Sequence, residues 1–285
     1  MSSGPTAEDI KDALRGVVIP PKPQILIDIQ KAAGDTVKIV DLISKDTGVS
    51  ASLLKIVNSP FYGLGSKVTS IQKAVMLLGV DAVTNIVNAL ILRSSLSAEL
   101  EEQMSEFWDT SMDVARAAQK IAEKTGLVNP EEAYTAGLFH NCGIPVLIQK
   151  HKNYPDIIKQ SYADPDGYVI ETERQLITVD HAIVGYKLCR LWNMDDRISF
   201  VVRHHHGGKK AIKKAPDEET KRLLACIILA EHFAELFKML AKQDKSFAWK
   251  RVKKYIKQTF NLEEKEDYMN LKDDVIEAVF NLSDG

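Results

Sequence analysis

Four places along the chain carry side chains that could do chemistry together. His140 stands at the end of a helical segment beside a polar turn, His181 near the start of another, and His204, His205 and His206 at the end of a third, while Glu231 lies inside an apolar helix. Imidazoles and carboxylates brought together by helix packing are the means by which helical proteins hold metal ions. Spacing alone does not show that they converge. No H-E-x-x-H or comparable local pair occurs, so on spacing the simpler reading is of surface or core histidines with satisfied hydrogen bonds. The triplet is internal, unlike an affinity tag, and helix neighbours are about 100° apart, so one or two of its members face any one site.

Other reactive residues are less informative. Cys142, Cys189 and Cys226 are an odd number without a C-x-x-C pair, which argues against a disulfide framework. The GLG at 63–65 lacks the third glycine and preceding strand of a phosphate loop and reads as a turn. Asn58 and Ser59, just before Pro60, suit hydrogen bonds to their own backbone. Between Lys245 and Phe260, six basic residues occur without an acid, with Trp249, Val252, Ile256 and Phe260 on one face. Such a helix could touch nucleic acid or acidic lipid, but the acids from Glu263 to Asp274 offer an internal partner, which favours a solvated face docked by its apolar side.

Positioning these groups falls to helices. Apolar residues recur at spacings of three and four throughout, with capping residues before them and glycines after, and alternating strand patterns are scarce. The class is all-α. Stripes are expected at Ile25, Ile29 and Ala32/Ala33, and at Val37, Val40 and Leu42/Ile43. Ser50 is expected to cap the helix carrying Leu53, Leu54 and Val57, Ser70 the next, and Asp81 the one after. An acidic segment from Glu99 to Glu106 separates two helical halves. Later starts are expected at Asn129 with Pro130, at Thr178 or Asp180, near Asp195, and at Asp217 with a helix reaching about Ala241; a short helix around Val275 follows. With 285 residues, 45% hydrophobic and a net charge of -2, the chain has an ample core and no whole-surface attraction to polyanions. Its longest apolar run, from Leu223 to Ala230, is too short for a membrane span, and the start has no signal-peptide pattern, so a reduced, cytoplasmic location is expected.

The run from PPKPQILIDI through ISKDTGVSASLLKIVNSPFYG to SIQKAVMLLGVDAV, followed by GLFHNCG, DHAIVG, KLCRLWNM and the histidine triplet, resembles the HDOD domain. This is a bacterial signalling module related to HD metal-dependent phosphohydrolases, and the likeness covers about Val18 to Gly207. The resemblance implies an HD-like multi-helix domain, divided as a lead over 1–17, an N-terminal helical half over 18–107, an HD-like half over 108–241 and a C-terminal extension over 242–285. It places the His-Asp doublet of the catalytic relatives on His140 and Asn141, later histidines on His181 and one or two of His204, His205 and His206, the first histidine on Thr110, and the final aspartate on Glu231.

Asn141 offers a neutral carbonyl where a carboxylate would bridge two ions, and Thr110 is a poor ligand in place of imidazole. The expectation is therefore a non-catalytic signalling module that meets a protein partner or small ligand in trans. It requires no cofactor, and the residues left for a single divalent transition metal ion are His140, His181, His205 and Glu231, with His204 or His206 as alternatives. The competing readings are a reduced phosphohydrolase acting on a nucleotide or cyclic dinucleotide, and a nucleic-acid binder using the basic helix; neither membrane nor nucleic acid is the expected partner.

Overall fold

A computed structural model describes Arg15, residues 21–59, Tyr62, and residues 67–94, 105–235 and 247–280. Every regular element among them is helical, and none of the helices is long and apolar enough to cross a membrane. Two compact units divide the described chain, one over 21–94 and one over 105–279 with Arg15.

The first unit contains α1 (Gln24–Lys31), α2 (Thr36–Lys45), α3 (Thr47–Val57), α4 (Ile71–Leu78) and α5 (Val80–Ser94). Asp35, Asp46 and Ser70 start α2, α3 and α4 by accepting from the amides of Lys38, Val49 and Lys73, each satisfying a donor the first turn leaves free. The expected cap Ser50 lies inside α3, where its hydroxyl donates to Ile43 O instead; Asp46, four residues earlier, starts the helix. Asp81 likewise falls within the first turn of α5, because Gly79, at φ 86, ends α4 directly before it. Of the expected stripe of α2, Ile43 is buried and Val40 and Leu42 are half-buried, but Val37 is 81% exposed; Ile39, one turn before Ile43, takes its place on the buried face. Asn58 donates to Leu54 O and Val68 O and accepts from Val68 N, each at 2.7 Å, tying the end of α3 to the backbone ten residues on. The GLG at 63–65 and Pro60 lie outside the described residues.

The second unit runs α6 (Ser105–Thr125), α7 (Pro130–Phe139), α8 (Gly143–Lys150), α9 (Tyr154–Tyr162), α10 (Val169–Ile177), α11 (His181–Leu191), α12 (Asp196–His204), α13 (Gly208–Lys213), α14 (Glu218–Phe233), α15 (Phe247–Thr259) and α16 (Lys265–Phe280). The centre of this unit is α7, buried at every position from Ala133 to Phe139. It packs on α6, where a Cβ on Gly137 would come within 2.7 Å of Ala115 Cα. The long α14 also lies inside, with Leu223 to Ala230 buried. It ends at Phe233, short of Ala241, and Glu235 takes a left-handed φ of 54 that a helix cannot continue through. The basic α15 buries Trp249, Val252 and Ile256, as an amphipathic helix docked by its apolar face should. The terminal helix is not short: α16 spans 16 residues because Leu271, Val275 and Val279 share one buried stripe. In the acidic segment, Asp274 pairs at 2.9 Å with Lys124 of α6.

Candidate functional site

Three helix ends meet inside the second unit. Asn129 caps α7 by accepting from the amides of Glu131 and Glu132, with Pro130 at the first helical position, where its missing N–H costs nothing. That start delivers His140 to the opposite end, buried at the turn into α8. Of the two expected caps for α11, Asp180 is the one used, accepting from Ile183 N, while Thr178 is left-handed and closes α10. Asp180 is held in turn by Arg174 at 2.6 Å, and His181 becomes the first residue of α11. Asp195 caps α12, which runs into His204 and His205.

The site's logic lies in what each imidazole Nδ1 touches. His140 Nδ1 faces Gly137 O, and His205 Nδ1 faces Val202 O at 2.9 Å. His181 Nδ1 lies 2.7 Å from the buried Glu173 carboxylate, which also accepts from His181 N at 2.8 Å. An acceptor at Nδ1 requires the proton there and leaves Nε2 as an electron-pair donor. The Nε2 atoms of His181 and His205 then face each other at 3.2 Å, with Asn141 Oδ1 3.2 Å from the latter. Groups of this kind, aimed at one another, need a proton or a cation between them. His206 joins them, so that one ring nitrogen of each of His181, His205 and His206 lies within 4.8 Å of the others. Tyr162 bridges the set, its hydroxyl 3.2 Å from His206 Nε2 and 3.4 Å from Asn141 Nδ2. On the far side of His205, His140 Nε2 approaches Glu231 Oε1 at 3.5 Å, and neither atom has a hydrogen-bond partner.

Burial sets the protonation. It pushes His140 down to about 4 and His205 and His206 well below the usual imidazole range, neighbouring imidazoles adding to the effect. Burial also raises the Glu231 carboxyl to about 8, and lowers His204 to about 4 and His232 to about 3. A folded histidine with a depressed pKa takes up its proton later than the unfolded chain does, so stability is present above about pH 6.5 and is lost as the pH falls toward 4. The raised carboxyls of Glu231, Asp113 and Glu132 work the other way, but they are outnumbered by the depressed histidines His140, His204, His205, His206 and His232. The urea midpoint should therefore drop clearly between pH 7 and pH 5; an unchanged midpoint would contradict this protonation pattern.

Of the residues singled out in the sequence, His181 and His205 come together, His206 joins them rather than replacing His205, and His140 and Glu231 form an adjoining pair. His204 does not take part; its ring packs on Phe200 at 4.4 Å. Thr110 donates to Phe107 O within its own helix. Two residues escaped sequence reasoning. Glu173 reads as one more acid in VIETERQLI, and Tyr162 as an ordinary helix-end aromatic; neither carries a local signal of its role.

For a metal of the kind held by HD relatives, the donor set fits one ion that favours imidazole nitrogen, at His181, His205 and His206. The neutral imidazole is the ligating form, and Glu173 behind His181 is the carboxylate support that orients a ligand histidine. The set offers no free carboxylate to bridge two ions: beside His205 Nε2 stands the neutral Asn141 Oδ1, at 3.2 Å, and both Glu173 oxygens are engaged by His181.

The HDOD domain family matches residues 19–207. Among solved structures, an HDOD domain protein of unknown function from Geobacter sulfurreducens is similar over 97% of both chains, at 23% identity and a TM-score of 0.70. A provisionally named metal-dependent phosphohydrolase from Shewanella amazonensis is similar over 95% of both chains, at 19% identity and a TM-score of 0.63. An uncharacterised protein of Treponema pallidum is 28% identical over 224 residues, 74% of this chain and 41% of that protein. One from Bacillus subtilis is 27% identical over 116 residues, 41% of this chain and 28% of that protein. The chain thus spans less than half the length of the curated relatives it matches.

Proposed function

This chain belongs to the HDOD domain family, and from that premise we propose that it is a non-catalytic, cytoplasmic signal-transduction module whose histidine cluster holds a single transition metal ion and whose adjoining cleft receives a ligand or partner in trans. The observation that carries the reading is the neutral carbonyl oxygen of Asn141, 3.2 Å from His205 Nε2, at the position where the HDOD resemblance puts the carboxylate of the catalytic relatives. Glu173 does not make up for it, because both its oxygens are committed to His181. Bound there, an ion would act as a Lewis acid and a structural tie between α11 and the end of α12. Without a second ion, a phosphate ester would lack the clamp that stabilises both the attacking and the leaving oxygen of an in-line displacement. The chain's own residues hold the imidazoles in the ligating tautomer and exclude bulk water around them.

Elemental analysis of protein purified without chelator, together with a phosphodiesterase and nucleotidase screen, tests both halves. About one transition metal ion per chain and no metal-dependent turnover are expected. Asn141→Asp should tighten metal binding by adding a negative charge beside the cluster, without restoring turnover. Metal-dependent hydrolysis by the unmodified protein would overturn the non-catalytic assignment, and affinity unchanged in Asn141→Asp would show that this position does not face the ion.

A further inference from the structure

The C-terminal helix α15 lies beyond the residues matched by the family, yet it supplies part of the wall of a cleft that opens beside the histidines. Tyr162, His205, His206 and Glu231 line one part of it, Trp249 and Arg251 another. Arg251 is held rigidly: Nη1 donates to Gly167 O at 2.8 Å, and the guanidinium carbon lies 4.0 Å from the centroid of the Tyr168 ring. Among the described residues it forms no ion pair with a carboxylate; the acid on the cleft wall, Glu231, lies 3.5 Å from His140 Nε2. A guanidinium oriented by a carbonyl and an aromatic face, and paired with no carboxylate among the described residues, is prepared for an anion from outside.

The surroundings agree. Helix α13 packs against α15; Lys209, Lys210, Lys213 and Lys214 are exposed on or just after the first, and Lys253 and Lys254 are exposed on the second. In a chain of net charge -2 this is a local concentration of positive charge, which raises the encounter rate of small anions.

We infer that Arg251 anchors the phosphate group of a small ligand in this cleft. The inference names the ligand chemistry left open in the proposed function and rests on that reading. Free phosphate and a phosphate ester share this chemistry, so titration calorimetry of the full chain should use inorganic phosphate, pyrophosphate and adenosine monophosphate as separate probes. Binding of at least one is expected; tighter binding of the monophosphate than of phosphate identifies an ester site, and the reverse a free-phosphate site. Arg251→Gln should weaken it by about tenfold to a hundredfold, while Lys159→Gln, exposed on α9, leaves it unchanged. If Arg251→Gln melts early through loss of the Gly167 contact, Arg251→Lys carries the test: the charge stays, the fork is lost, and weakening of about tenfold is expected. No binding of any probe at millimolar concentration overturns the inference. So does binding that survives both substitutions but disappears with chelator, which would place the anion on the metal ion. Neither result touches metal content or the absence of turnover, on which the proposed function is judged.

Discussion

Gly143→Ala will leave the second unit without its native packing. A Cβ at this position would lie 2.0 Å from His181 O, 2.9 Å from His181 C and 2.7 Å from Gly185 N. All three are backbone atoms, so no rotamer change relieves the clash; α8 and α11 would have to separate. Added methyl groups that side chains can accommodate cost about 1–3 kcal/mol. A clash with fixed backbone belongs to the class exceeding about 4 kcal/mol, a shift of roughly 8–16 °C in melting temperature for a unit of this size. The expected thermal melt is at least that much lower, or has lost its cooperative transition. Gly48→Ala is the control: the nearest atom to its Cβ is Asp46 Oδ1 at 3.6 Å, an ordinary contact, and within a helix alanine is favoured over glycine by about 1 kcal/mol. An unchanged melting temperature in Gly143→Ala would mean that α8 and α11 do not approach as closely as described.

The second large effect is expected at Glu173, a residue that would touch no metal. Its carboxylate accepts from His181 Nδ1, which reserves His181 Nε2 for the cluster. In Glu173→Gln the amide can present its NH₂ to Nδ1, which moves the ring proton to Nε2 and closes the ligand position. Loss of such a supporting carboxylate costs about 10–100-fold in metal affinity. The measurement is competition against a chromophoric chelator with zinc, and the folded state is followed in parallel by circular dichroism. Glu173→Asp, which keeps the charge but shortens the reach, should fall between the two. Wild-type affinity in Glu173→Gln would detach His181 from the ion and leave His205 and His206 as too few ligands for the proposed site.

How far the sequence could be read depended on the range of the force involved. Caps and stops act over one turn, so Asn129 with Pro130, Ser70, Asp195 and Asp217 were legible from their neighbours alone, as were the all-α class and the buried face of α15. The resemblance to the HDOD domain located His140, His181 and the triplet as a set. Errors arose where one competing residue decided a local choice: Asp46 over Ser50 as the cap of α3, and Ile39, one turn before Ile43, over Val37 on the buried face of α2. Convergence was of another kind. His140, Glu173, His181, His205 and Glu231 come from five different segments, and only the packing of α7, α8 and α10 to α14 places them within a few ångströms. The triplet's facing could not be chosen in advance, because three consecutive residues at a helix end sample most of its circumference; the chain's departure from α12 turned His205 and His206 inward and left His204 against Phe200. Glu173 and Arg251 act through a hydrogen bond and a cleft wall, interactions between residues distant in sequence that leave no period or motif behind. Local free energies wrote the helices into the sequence, and the ring tautomers that make the site were decided by which acceptor the tertiary structure set against each Nδ1.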